Sequence, residues 1–246
     1  MSMEPWLGII MDDTAQALEP IALLRLQSWL SSSFPVGSYS YSHGLEWAVD
    51  AGLVHDRASL VHWLEADLLF GTGRNEALLF REAYRRAAER DTNRLLEIAE
   101  FAAACRGTSE FALEASQQGA ACLAILGQVW PDPHLQSLAV LLAERQVTPS
   151  LAVVLGVRLA SQNVPSHLAL CAFLHSHVAN WVTAGVRLIP LGQTDGQLAI
   201  AELEPAVLAA SEQVSPIGLE DFGSAGLGIE LASMAHETQY TRLFRS

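Results

Sequence analysis

Apolar residues recur at three- and four-residue spacing along almost the whole chain, and no run alternates with a period of two. That pattern sets apolar side chains on one face of successive helices and leaves no half-buried strand to pair. The chain is therefore expected to be all-α, a single-domain helical bundle of about ten helices over residues 21–246. A flexible N-terminal segment is expected over 1–20. "ALLRLQSWL" places Leu23, Leu26 and Leu30 on one face, and "FPVGSYSYSHG" then breaks the helix with proline, glycine and serine. Asp56 is placed to cap a helix carrying Leu60, Trp63, Leu64 and Leu68. Thr148 and Pro149 read as N-cap and first-turn proline of a later helix. Thr194 and Gln197 have the spacing of a capping box. Pro205 is expected to interrupt or restart its helix. A mobile stretch is expected around 214–226, before a last helix from about Leu227.

Composition excludes several kinds of chemistry. The net charge of −13 over 246 residues disfavours a nucleic-acid partner, which needs a basic surface. All 14 basic residues are arginine. A chain without lysine has no P-loop lysine and no Schiff base. Cys105, Cys122 and Cys171 are too few and too scattered for a disulfide framework or a zinc ribbon. The opening "MSMEPWLGIIMDD" has no basic n-region followed by a long apolar run, so a cytoplasmic protein is expected. Between Arg158 and Arg187 no side chain is formally charged, yet Asn163, Pro165, three histidines and Asn180 make a membrane span untenable. That stretch reads as a helix buried in a core or lining a homodimer contact.

No cluster of reactive residues emerges. On a helix His175 and His177 point roughly 200° apart, so they cannot share an ion. Cys171 and His175 are better spaced, but no carboxylate in the same helix completes a ligand set, and no metal or cofactor is expected. The serines from Ser31 to Ser42 lie outside any G-x-S-x-G and suit a turn. His43 and Glu46 have the spacing of an acid–base pair, although Glu46 equally suits the positive end of a helix. Three stretches remain. "FPVGSYSYSHGLEW" gathers Phe34, Tyr39, Tyr41 and Trp47 around a glycine turn, as recognition surfaces do. "GVRLIPLGQTDGQ" joins Arg187 to a defined corner. The terminal "HETQYTRLFRS" interleaves Tyr240, Leu243 and Phe244 with Arg242 and Arg245, an amphipathic segment that needs a groove, its own or a partner's.

Together, and in this order, the three stretches resemble the urease accessory protein F (UreF) family, with a likeness running from about Leu23 to Ser246. The resemblance implies an all-helical, non-enzymatic homodimer. It implies a scaffold and co-chaperone for GTP-dependent nickel insertion into apo-urease, bridging accessory protein D/H and the GTPase accessory protein G. It also implies a partner-binding surface comprising Gly37, Ser38, Tyr39, His236, Glu237, Tyr240, Arg242, Leu243, Phe244 and Arg245. On this reading the tail, 236–246, is mobile in the free protein and orders against accessory protein D/H. The chain departs from the family's usual pattern at His43, and at Phe111 and Ala112, which follow Glu110. The rival from another class is a helical metal-dependent enzyme using the scattered histidines, which requires a converging ligand set. A module holding an apolar ligand would require a large internal cavity.

Overall fold

The computed structural model describes residues 18–245, so the segment expected to be flexible lies, up to residue 17, outside the described residues. Among the described residues there are eleven α-helices and no strand. They are α1 (Pro20–Trp29), α2 (Leu45–Asp50), α3 (Arg57–Phe70), α4 (Thr72–Ala88), α5 (Thr92–Ala104) and α6 (Ser109–Val129). Then come α7 (Pro133–Arg145), α8 (Leu151–Ala160), α9 (Ser166–Leu188), α10 (Gln193–Val214) and α11 (Leu227–His236). The architecture is all-α, and no described helix is long and apolar enough to cross a membrane.

Side-chain caps start most of these helices. Asp56 accepts the Ser59 amide at 2.8 Å, and Ser59 Oγ accepts the Asp56 amide at 3.0 Å, a reciprocal capping box. Asp91, Thr108 and Asp132 each accept the amide three residues on. Two expected caps fall elsewhere. α8 is capped by Ser150, not Thr148; the Pro149 carbonyl lies where a Cβ on Gly119 of α6 would be, only 1.9 Å away, which holds the preceding segment outside the helix. At α10 Thr194 lies inside the helix, and Asp195 instead accepts the Gly192 amide at 3.2 Å. Pro205 does not break α10, which runs on to Val214. The helix loses one hydrogen bond there but keeps its long contacts with α3 and α9.

The core forms around α4, α8 and α9. α8 is buried along almost all of its length and apolar apart from Arg158, which pairs with Asp132 at 3.1 Å. It crosses α4 at Gly156, where an added Cβ would stand 2.6 Å from the Phe80 carbonyl. Phe80 in turn stacks on Phe173 of α9 at 4.6 Å. α9 keeps most of its apolar side chains inside its own chain, with Leu168 as its exposed large hydrophobic residue.

The stretch 214–226, expected to be mobile, is strapped to α4. Arg81 donates to the Val214 carbonyl at 2.6 Å and also bonds Ser215 and Ile217. Arg74 donates to the Asp221 carbonyl at 3.0 Å, and the Ala225 and Gly226 amides reach the Phe70 carbonyl. These bonds occupy backbone groups that a mobile linker would leave to water.

Gly156→Ala would gain about 1 kcal/mol of helix propensity but force a methyl into the α4 backbone. A net loss of about 1–3 kcal/mol is expected in urea unfolding, with the m-value unchanged.

Candidate functional site

The site begins with a glycine. Gly44 has φ +76, a conformation that side chains disfavour, and its notional Cβ would lie 2.8 Å from the Ser233 backbone nitrogen. Glycine therefore lets the start of α2 sit directly on α11. Two residues later Glu46 projects from the first turn of α2 into the gap between α11 and the chain that follows it. Its carboxylate accepts the Leu243 amide at 2.6 Å, the Phe244 amide at 2.8 Å, and lies 3.1 Å from His236 Nε2. Glu110, on the first turn of α6, receives His236 Nδ1 at 2.9 Å and Arg242 at 3.1 Å. The Arg245 amide closes the arrangement on the Ser40 carbonyl at 2.8 Å.

The tail's groove is thus the protein's own. His236 is fully buried and Phe244 nearly so, which corrects the expectation of a free tail mobile from 236 onward. The physical reason is Glu46: a buried carboxylate with no basic side chain on its own helix needs donors, and two tail amides and an imidazole provide them. Most of the tail's other residues face outward. Tyr240 is fully exposed and Leu243 is 59% exposed, while Glu237 accepts the Ser109 amide at 3.2 Å from the surface.

Arg187 joins all three stretches singled out in the sequence. From the end of α9 it donates to the Tyr39 carbonyl at 2.8 Å, and its guanidinium lies 4.4 Å from the centre of the Phe244 ring. Tyr39 itself is 71% exposed, held out by a short 3₁₀ turn (Ser38–Ser40) that follows Gly37 at φ +77. The other aromatics of that loop do not form the surface: Phe34 and Tyr41 are buried and Trp47 is half-buried. Tyr41 instead hydrogen-bonds Gln117, which also accepts from Arg245 at 3.3 Å. The outward-facing large side chains of these stretches are Tyr39, Tyr240 and Leu243, with Arg242 and Arg245 beside them in the tail.

Behind it lies a cavity of about 320 Å³, lined by residues that include His43, Asn75, Glu76, Arg106, Glu114 and Trp181. His43 does not pair with Glu46. It contacts Glu114 at 3.1 Å and Thr72, and stacks on Phe111 at 4.2 Å. Burial alone would lower its pKa, but Glu114, with Asp67 and Glu76 behind, more than offsets this and raises it above the ordinary 6.5. Asp67, buried at the end of α3, accepts the Thr72 and Gly73 amides and so caps α4. Burial pushes its carboxyl up, against the nearby His43 charge. The lining is mostly apolar, with Phe111, Leu151, Trp181 and Phe222 beside the polar groups. Among the described residues no three His, Cys, Asp or Glu side chains converge as metal ligands, which is what the rival enzyme reading requires.

Residues 54–204 match the family model described as UreF. The chain belongs to the UreF family. A relative from Rhodopseudomonas palustris (strain BisB5), named urease accessory protein UreF, is 46% identical over 94% of this chain and 93% of its own length. One from strain TIE-1 is 45% identical over the whole of both chains. Another, from Magnetococcus marinus, is 45% identical over 92% of this chain and 98% of its own. All three carry the same name, which designates an accessory protein and not a catalyst. UreF membership agrees with the reading taken from the three stretches. It also agrees with the expectation of a non-enzymatic role.

Two outcomes follow from this geometry. Deleting 236–246 removes two buried side chains and strands Glu46 and Glu110, at a cost of about 3 kcal/mol or more. A fall in Tm of roughly 6–12 °C is expected in a thermal melt. For His43, a raised folded pKa means stability that is fully present below pH 6.5 and lost as pH rises through the folded value. His43→Asn, which tolerates the native φ of +57, should flatten that decline in urea unfolding measured across pH.

Proposed function

We propose that this chain is a non-enzymatic scaffold and co-chaperone for GTP-dependent nickel insertion into apo-urease. In this reading it bridges accessory protein D/H and the GTPase accessory protein G, works in the cytoplasm, and acts as a homodimer. The observation that carries the reading is the convergence at Arg187: the Tyr39 loop, the end of α9 and the tail meet in one exposed face. Among the described residues Tyr39, Tyr240 and Leu243 are each more than half exposed, and large aromatic and apolar anchors beside arginines are what protein interfaces use. Gly37 and Ser38 shape the Tyr39 turn, Arg242 and Arg245 edge the face, and Glu237 lies beside it. His236 and Phe244 serve from inside, fixing the tail's path. The absence of lysine supports placing nucleotide chemistry in the GTPase partner.

Because Tyr39 and Tyr240 are exposed, substituting them should act on binding and not on folding. Tyr39→Ala and Tyr240→Ala are each expected to weaken the complex with accessory protein D/H by about tenfold or more, while Tm stays within about 2 °C. Co-purification and titration calorimetry check this. Loss of folding without a specific loss of affinity would contradict the docking role.

A further inference from the structure

The cavity of about 320 Å³ plays no part in the docking role, and its chemistry is independent of it. Folded interiors are close-packed, with few voids larger than a water molecule. A space of this size, walled by Phe111, Trp181 and Phe222, falls in the range of small-molecule sites.

Arg106, between α5 and α6, is built into the wall. Its side chain is 10% exposed, its Nε donates to the Ala102 carbonyl at 2.8 Å, and its Nη1 pairs with Glu76. Its Nη2 is buried with no acceptor among the described residues. A buried guanidinium N–H without an acceptor costs more than a neutral donor would. An acceptor that enters the cavity completes it after a small turn of the guanidinium. Asn75 also lines the cavity. Its side-chain carbonyl accepts the Gly223 amide at 3.1 Å, which leaves its NH₂ as a further donor. Two donors, one of them a cation, select a carboxylate.

The neighbouring charge has the opposite sign. Gly107 follows Arg106, and a Cβ there would lie 3.4 Å from the Glu230 carboxylate of α11. Glu230 is half-buried, lines the cavity and forms no ion pair among the described residues. Glu76 is answered by Arg106, and Glu114 by His43 at 3.1 Å. Burial lowers the His177 pKa, so that ring adds no cation to the lining. One carboxylate is left over, beside a guanidinium that is one acceptor short. A simple anion is repelled by Glu230, and a simple cation leaves Arg106 unfilled. A ligand that carries both charges close together satisfies both.

We propose that this cavity binds a free α-amino acid with an apolar side chain. Arg106 and Asn75 take its carboxylate, Glu230 takes its ammonium, and Phe111, Trp181 and Phe222 pack its side chain. Gly107 is the backbone condition, because a side chain there would push Glu230 aside.

The test is titration calorimetry on the full chain with L-phenylalanine, with 3-phenylpropanoate, which lacks the ammonium, and with phenethylamine, which lacks the carboxylate. L-Phenylalanine is expected to bind at least about tenfold more tightly than either of the others. Glu230→Gln should weaken L-phenylalanine by about tenfold and leave 3-phenylpropanoate no weaker. Arg106→Gln alone strands the Glu76 carboxylate, so it is made together with Glu76→Gln, which leaves a neutral amide pair. That double variant, once circular dichroism shows it folded, should also lose about tenfold for L-phenylalanine. The Trp181 indole resonance is expected to shift as L-phenylalanine is added. Failure of L-phenylalanine to bind at about 10 mM would mean a cavity that holds only water, and would overturn the proposal. Equal affinity for L-phenylalanine and 3-phenylpropanoate, an affinity indifferent to Glu230→Gln, or binding that leaves Trp181 unshifted would overturn it as well.

Discussion

One buried carboxylate organises the functional end of this molecule. Glu46 sits on a six-residue helix, 190 positions from His236 and 198 from Phe244, and accepts hydrogen bonds from both. A carboxylate taken out of water costs several kcal/mol unless donors replace the solvent. Here the donors are two consecutive backbone amides and a histidine, so the tail is the solvation shell of Glu46. That requirement bends the chain after α11 back across α2 and α6. It also places Phe244 under Arg187 and leaves Tyr240 pointing to solvent.

The arrangement separates two jobs within eleven residues. His236 and Phe244 are spent on attachment, and Tyr240 and Leu243 remain available as contact area. A preformed aromatic face loses less conformational entropy on binding than a disordered segment would. Gly44 is the backbone condition for this, because any side chain there would push α2 off α11 and move Glu46 away from the tail amides. Arg187 then links the tail to the Tyr39 turn, so a disturbance at any of the three stretches reaches the same surface.

The helices were legible in the sequence because each depends on local periodicity and local caps. Asp56 and its partner Ser59 lie within one turn, and the start of α11 at Leu227 was equally plain. Misreadings came where distant packing decided a local choice: Pro149 is held out of α8 by Gly119, Pro205 stays inside α10, and two arginines of α4 strap down residues 214–226. The candidate site was legible only in outline. Tyr39 and the tail stood out as aromatic residues in exposed-looking contexts, but nothing local distinguishes Glu110 from a surface glutamate. A glutamate on a first turn reads as a dipole partner. What could have flagged Glu46 is its place inside "HGLEW", between a positive-φ glycine and apolar residues, where an acidic side chain has no solvated face. Arg187 lay in a stretch singled out in the sequence, but nothing local tied it to the Tyr39 turn or to the tail.

The account stands or falls on whether the free chain holds its own tail. The most direct measurement is the set of nuclear Overhauser contacts between the Phe244 ring and the Arg187 side chain in the isolated protein, where the guanidinium lies 4.4 Å from the ring centre. The account predicts strong contacts, with the Arg187 side-chain protons shifted upfield by the ring current. Sharp random-coil signals from residues 237–245, with no contact between Phe244 and Arg187, would contradict it.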